Sequence, residues 1–96
     1  MKQKRTYRYE SELEADCTDV AVSLGAEHRK LDTGVNAKGQ LDHAYWLPHG
    51  VHFIVEFKLP GERPSPKQKK KIARLRALGH AVHVIDSYEG FLDLLR

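Results

Sequence analysis

Asp42 and Glu56 stand fourteen positions apart, and Glu56 opens the triplet Glu56-Phe57-Lys58 at the end of an apolar run. A β-hairpin centred between them brings these charged side chains to one point. If Leu47 and Val51 flank Pro48-His49-Gly50 as a facing pair, the numbers of opposed residues sum to a constant. Asp42 then faces Glu56, Tyr45 faces Phe53, Trp46 faces His52 and His43 faces Val55. Period-two geometry puts Glu56 and Lys58 on one side of the sheet and His43 and Val55 on the other. Two carboxylates directly opposed repel each other. A divalent cation offsets that repulsion, since Mg²⁺ takes carboxylates, waters and phosphate oxygens as ligands. A lysine at the edge of such a site can hold, or help deprotonate, a water acidified by the metal. That chemistry is phosphodiester hydrolysis. A lone Glu-x-Lys at a strand end is usually a solvated pair, but Val51, Phe53, Ile54 and Val55 make this run too apolar for an edge left in water.

The elements that must position these groups can be read from spacing. Leu13, Cys17, Val20 and Leu24 recur at helical intervals from Glu10 onward, with Gly25 as the stop. Residues 26–40 are polar and glycine-punctuated, a loop with a short strand near 28–32. Leu41–Leu47 and Val51–Leu59 are the two hairpin strands, followed by a breaker-rich loop, Pro60-Gly61-Glu62-Arg63-Pro64. Ser65-Pro66-Lys67-Gln68 is a helix start, with Ser65 as N-cap, Pro66 in the first turn and Gln68 closing a capping box. Ile72, Leu75 and Leu78 form its inward stripe, and Gly79 ends it. Ala81–Ile85 reads as a short buried strand, and Tyr88–Leu95 as a last helix with Phe91, Leu92 and Leu95 inward. The order α-β-β-β-α-β-α predicts an α/β sandwich, a mixed central sheet flanked by helices.

The chain has 96 residues, 41% of them hydrophobic, enough for one core and hence one domain. Residues 1–9 read as a basic tail and 10–96 as the domain. Sixteen Lys+Arg against thirteen Asp+Glu give net +3, a mild bias toward polyanions. Cys17 is the single cysteine, so no internal disulfide forms, which fits a reducing compartment. With no secretory signal and no apolar window of membrane-spanning length, a soluble cytoplasmic protein is expected.

Four short motifs occur in order: Gly39-Gln40-Leu41-Asp42, Phe53-Ile54-Val55-Glu56-Phe57-Lys58, Ser65-Pro66-Lys67-Gln68 and Leu78-Gly79-His80-Ala81-Val82. Together they resemble the VRR-NUC (virus-type replication-repair nuclease) domain of the PD-(D/E)XK nuclease superfamily, over about residues 10–95. Leu41 stands where that family usually has proline, a change that bears on strand geometry more than on ligands. The resemblance implies a restriction-endonuclease-like fold, and Asp42, Glu56 and the Phe57 backbone carbonyl as ligands of Mg²⁺ or Mn²⁺. It implies Lys58 as the residue that positions the attacking water. It also implies a further acid from the first helix, for which helical phase favours Glu10 or Glu14 over Glu12. Gln68 has two roles open to it, the capping box with Ser65 and a place beside the metal at a helix N-terminus suited to phosphate.

Lys67, Lys69, Lys70, Lys71, Arg74 and Arg76 crowd one helix without acidic partners, and Arg63 and the tail cations extend the track. Beside a phosphodiester-cleaving site such a run reads as a DNA-binding surface. The six histidines lack zinc-finger spacing. Trp46 and His52 either pack on each other or line a DNA-facing or subunit surface. Stand-alone VRR-NUC domains of this size look like Holliday-junction resolvases, so the resemblance implies a homodimer acting on branched DNA, and a phage or prophage source. The alternatives are a non-catalytic DNA-binding module with the same fold, or a nickase or flap-type nuclease.

Overall fold

Each helix begins where a side chain satisfies the amide groups that a helix start leaves bare. A computed structural model describes residues 5–31 and 43–96. Asp42, the Gly39-Gln40-Leu41 stretch before it, Lys2 and Lys4 lie outside the described residues. The elements are α1 (Glu10–Ser23), β1 (Glu27–Lys30), β2 (His43–Trp46), β3 (His52–Phe57), α2 (Pro66–Ala77), β4 (Val82–Ile85) and α3 (Tyr88–Leu94). This is the expected order. The sheet runs β1-β2-β3-β4, antiparallel at the first two pairings and parallel at β3–β4. Parallel neighbours need a crossover, and α2 supplies it.

The hairpin has the register that the Pro48-His49-Gly50 connection predicts: His43 pairs with Val55, Tyr45 with Phe53 and Trp46 with His52. Leu47 N donates to Val51 O at 2.7 Å to close the turn. His49 and Gly50 both take positive φ, 68° and 77°, which reverses the chain in three residues. Glycine adopts that region freely, whereas His49 is held there at some steric cost.

Glu12 Oε1 accepts from the backbone N–H groups of Arg8 and Tyr9 at 2.8 and 2.9 Å, closing the start of α1. Leu13, Cys17 and Ala21 of α1 are buried, but Leu24, expected as the fourth member of the stripe, is 52% exposed. The helix stops at Ser23, so Leu24 loses its phase. The same happens to Leu78, which follows the last turn of α2 and is 65% exposed. In α3, Phe91 is buried as expected, and Leu94 and Leu95 pack against the core in preference to Leu92.

The helices lie on both sides of the sheet. On one side α1 and α3 enclose Leu13, Cys17, Tyr45, Phe53, Val55, Phe57, Ile85 and Phe91. On the other, α2 sets Ile72 and Leu75 over Ile54 and Val82. Arg5 and Tyr7, within the stretch read as a basic tail, are tied to the domain. Arg5 Nη1 and the Tyr7 hydroxyl both donate to Asp16 Oδ2, at 2.9 and 2.8 Å. The Arg5 guanidinium also lies 3.9 Å from the Tyr88 ring centroid, within cation–π range. Among the described residues, no helix is long and apolar enough to cross a membrane.

Candidate active site

Val55 and Phe57 turn toward α1 and α3, so period-two geometry turns Glu56 and Lys58 toward α2. Glu56 is 1% exposed, a carboxylate buried at the end of the central strand. A buried charge is tolerated only where hydrogen bonds and an opposite charge meet it. Lys58 Nζ lies 3.1 Å from Glu56 Oε2, and Gln68 Nε2 donates to the same oxygen at 2.9 Å.

Gln68 closes the capping box and also reaches Glu56. Its Oε1 accepts from Ser65 N at 2.9 Å while Ser65 Oγ accepts from Gln68 N at 3.1 Å, the reciprocal capping box. The remaining amide hydrogens point across the gap to Glu56. The capping box therefore fixes the rotamer of Gln68 and aims it at the carboxylate, with the positive end of the α2 dipole nearby.

The two first-helix acids separate. Glu14 Oε1 lies 2.5 Å from His43 Nε2, and His43 Nδ1 lies 2.5 Å from His28 Nε2. His43 pairs with Val55, so this chain sits on the α1 side of the sheet, across from Glu56. In the tautomer with the hydrogen on His43 Nε2, that nitrogen donates to Glu14 and Nδ1 accepts from His28. Burial, and His43 beside it, push the His28 pKa down. The helical spacing that allowed Glu14 carries no information about which side of the sheet receives it.

Glu10, at the start of α1, reaches the loop that follows β3. It shares a hydrogen bond with Glu62, which also accepts from Leu59 N at 2.7 Å. The Leu59 amide first, then Glu10 and the charge of Lys58, hold the Glu62 carboxyl below its usual range. Glu10, Glu62, Lys58 and Glu56 thus form a run of neighbouring charges. Glu62 was read only as part of a breaker-rich loop; its closeness in sequence to Lys58 was the signal. Phe57, whose backbone carbonyl was expected as a ligand, ends β3 with its ring buried on the opposite side. Among the described residues no three His, Cys, Asp or Glu side chains converge as a metal cluster, and Asp42 lies outside those residues.

No family model matches the chain. A solved structure titled "VRR_NUC domain" superposes with a TM-score of 0.80 at 29% sequence identity, covering 90% of this chain and 92% of the other. The chain is a VRR-NUC domain. Over 52 residues it is also 48% identical to "Putative nuclease p44" of Acyrthosiphon pisum secondary endosymbiont phage 1. That match takes in 54% of this chain and 56% of the phage protein. The chain thus spans a little over half the length of that relative.

Around the VRR-NUC site, Lys67, Lys69, Lys70, Arg74 and Arg63 are exposed and Lys71 is half-buried. Arg76 is exposed as well, but its guanidinium is already engaged. Its Nε and Nη2 donate to Val82 O at 3.1 and 2.8 Å, occupying a backbone acceptor on the outer strand β4.

Proposed function

We propose that this VRR-NUC domain is a divalent-metal-dependent endonuclease that hydrolyses phosphodiester bonds in branched, Holliday-junction-like DNA as a homodimer. The observation that carries the reading is the meeting of Lys58 and Gln68 on one oxygen of the buried Glu56. Two parts of the chain, the Glu-x-Lys strand end and the helix start, supply groups at that oxygen, and the Glu10–Glu62 pair borders Lys58. A solvated charge pair would require none of this convergence.

The donors fit a hard cation. Glu56 is a buried carboxylate, and Glu10 and Glu62 are acids close enough to share a hydrogen, an arrangement that favours a proton or a cation between them. Asp42, Glu56 and the Phe57 carbonyl would hold Mg²⁺ or Mn²⁺, with Glu10 as the first-helix acid in place of Glu14. When bound, the ion supplies positive charge that polarises the phosphodiester and acidifies water. Lys58 Nζ, at the edge of the carboxylates, holds the attacking water by hydrogen bonding. Gln68 keeps Glu56 from rotating away.

The basic helix supplies the substrate-binding half. Lys67 and Lys69 sit in the opening turns of α2, where a positive charge is disfavoured by the helix dipole unless an anion compensates. A DNA phosphate is such an anion, and Lys70, Lys71, Arg74 and Arg63 extend the cationic surface. Symmetric cutting of a four-way junction needs two sites, which a twofold dimer of one-site domains provides. The 48% identity to a phage protein over 52 residues supports a phage or prophage source.

The test is cleavage of four-way junction, flap, nicked and linear duplex DNA, each with and without Mg²⁺ or Mn²⁺. Junction cleavage that needs the metal and vanishes in Lys58→Ala, with binding retained, is the expected result. Preferred cutting of flaps, or of one strand only, would reassign the substrate. Binding without cleavage under every condition would mark a DNA-binding module.

A further inference from the structure

We infer that Trp46, backed by His52, is a stacking platform for an unpaired nucleobase on the strand being cut. The inference rests on the nuclease reading and adds a binding subsite to it. Trp46 and His52 are a directly opposed cross-strand pair, with ring centroids 5.3 Å apart and an interplanar angle of 25°. The imidazole covers part of the indole, yet Trp46 remains 43% exposed.

Strand alternation puts both rings on the same side of the sheet as Glu56 and Lys58. His52 is four residues before Glu56 in β3, roughly 13 Å along a strand. That side is only partly roofed, since α2 packs over Ile54 and Val82. A polynucleotide strand entering the site along this side would pass the indole.

The local charges favour a base over a phosphate. Glu27 is paired with Trp46 across β1, and a carboxylate there repels phosphate while accepting hydrogen bonds from exocyclic amines. The cations left for the backbone are Arg29, which pairs with Ala44 on the same side of the sheet, and those of α2. An exposed aromatic ring beside a cationic track is the arrangement that holds single strands without reading sequence. Bases in a blunt duplex are already stacked, so the platform selects strands with unpaired nucleotides, as at a junction or gap.

Trp46 is the single tryptophan of the chain, so its emission reports on the platform directly. The full chain, without metal, is titrated with a short single-stranded oligonucleotide and with a blunt duplex of the same sequence. Fluorescence anisotropy of labelled DNA is followed in parallel for wild type, Trp46→Phe and Trp46→Ala. The single strand is expected to quench the emission more strongly than the duplex. Trp46→Ala should weaken single-strand binding about tenfold, with Trp46→Phe retaining most of the affinity. Equal single-strand affinity in wild type and Trp46→Ala would overturn the inference. So would a Trp46→Ala chain that loses self-association in sedimentation while binding DNA normally, because the ring would then belong to a contact between copies. Quenching without cleavage in Mg²⁺ would uphold the platform and refute the nuclease reading; cleavage without quenching would do the reverse.

Discussion

On the side of the sheet toward α1 and α3, Tyr45, Phe53, Phe57 and Phe91 meet with ring centroids 5.2 to 6.1 Å apart. On the side toward α2 the buried apolar cluster is Ile72 and Val82, and the fully buried group further along β3 is the carboxylate of Glu56. The same strand serves both. Phe57 helps hold the domain together, and Glu56 and Lys58, on either side of it, face the other way. A half-core of interlocked rings lets the opposite side carry buried charge without the domain depending on it for stability.

The widest separation between the two sides should come from substituting neighbours in β3 and its partners. Lys58→Ala is expected to lower single-turnover DNA cleavage on the order of a thousandfold, within the range for losing a group that manages a proton in the transition state. Its unfolding midpoint should fall as well, because Glu56 is left buried without its opposite charge. Phe91→Ala should lose stability alone, about 3–5 kcal/mol in urea denaturation. Cleavage by the fraction that remains folded should persist. Retained cleavage in Lys58→Ala, or a loss of chemistry in folded Phe91→Ala, would break the division of labour.

A smaller effect sharpens the link between helix start and site. Ser65→Ala removes one half of the capping box and should cost about 1 kcal/mol of stability. Because the same box aims Gln68 at Glu56, the variant should also lose activity out of proportion to its stability. Gln68→Glu, which places a second acid against Glu56 Oε2, should lower the metal concentration needed for half-maximal cleavage.

How far the sequence discloses this arrangement depends on the range of the signal. The hairpin register followed from a three-residue connection with glycine, because loop length fixes pairing locally. Ser65-Pro66-Lys67-Gln68 was legible for the same reason. Leu24 and Leu78 were misplaced because periodicity continues in a sequence after the helix carrying it has ended. Glu14 and the Glu14–His43–His28 chain depend on how α1 docks on the sheet. Docking brings together residues far apart in sequence and leaves no local trace. Asp42 rests on its sequence motif alone, since it lies outside the described residues.

The smallest expected effect is a pH dependence. His28 and His83 both have pKa values held below the ordinary 6.5, chiefly by burial. Below pH 6.5 the unfolded chain takes up protons that the folded state resists, so their contribution to stability is complete above that pH and declines beneath it. Urea unfolding at pH 7.5 and 5 should show a lower midpoint at the acid end. His83→Gln and His28→Gln should flatten the difference.

The central claim is that Glu56 and Asp42 are carboxylates of one metal site. Calorimetric titration of Mn²⁺ into the DNA-free protein tests it without relying on activity, using wild type, Glu56→Gln and Asp42→Asn. Binding by wild type that is lost in each variant, with the fold retained by circular dichroism, is the result this account predicts. Undiminished Mn²⁺ binding in both folded variants would contradict it.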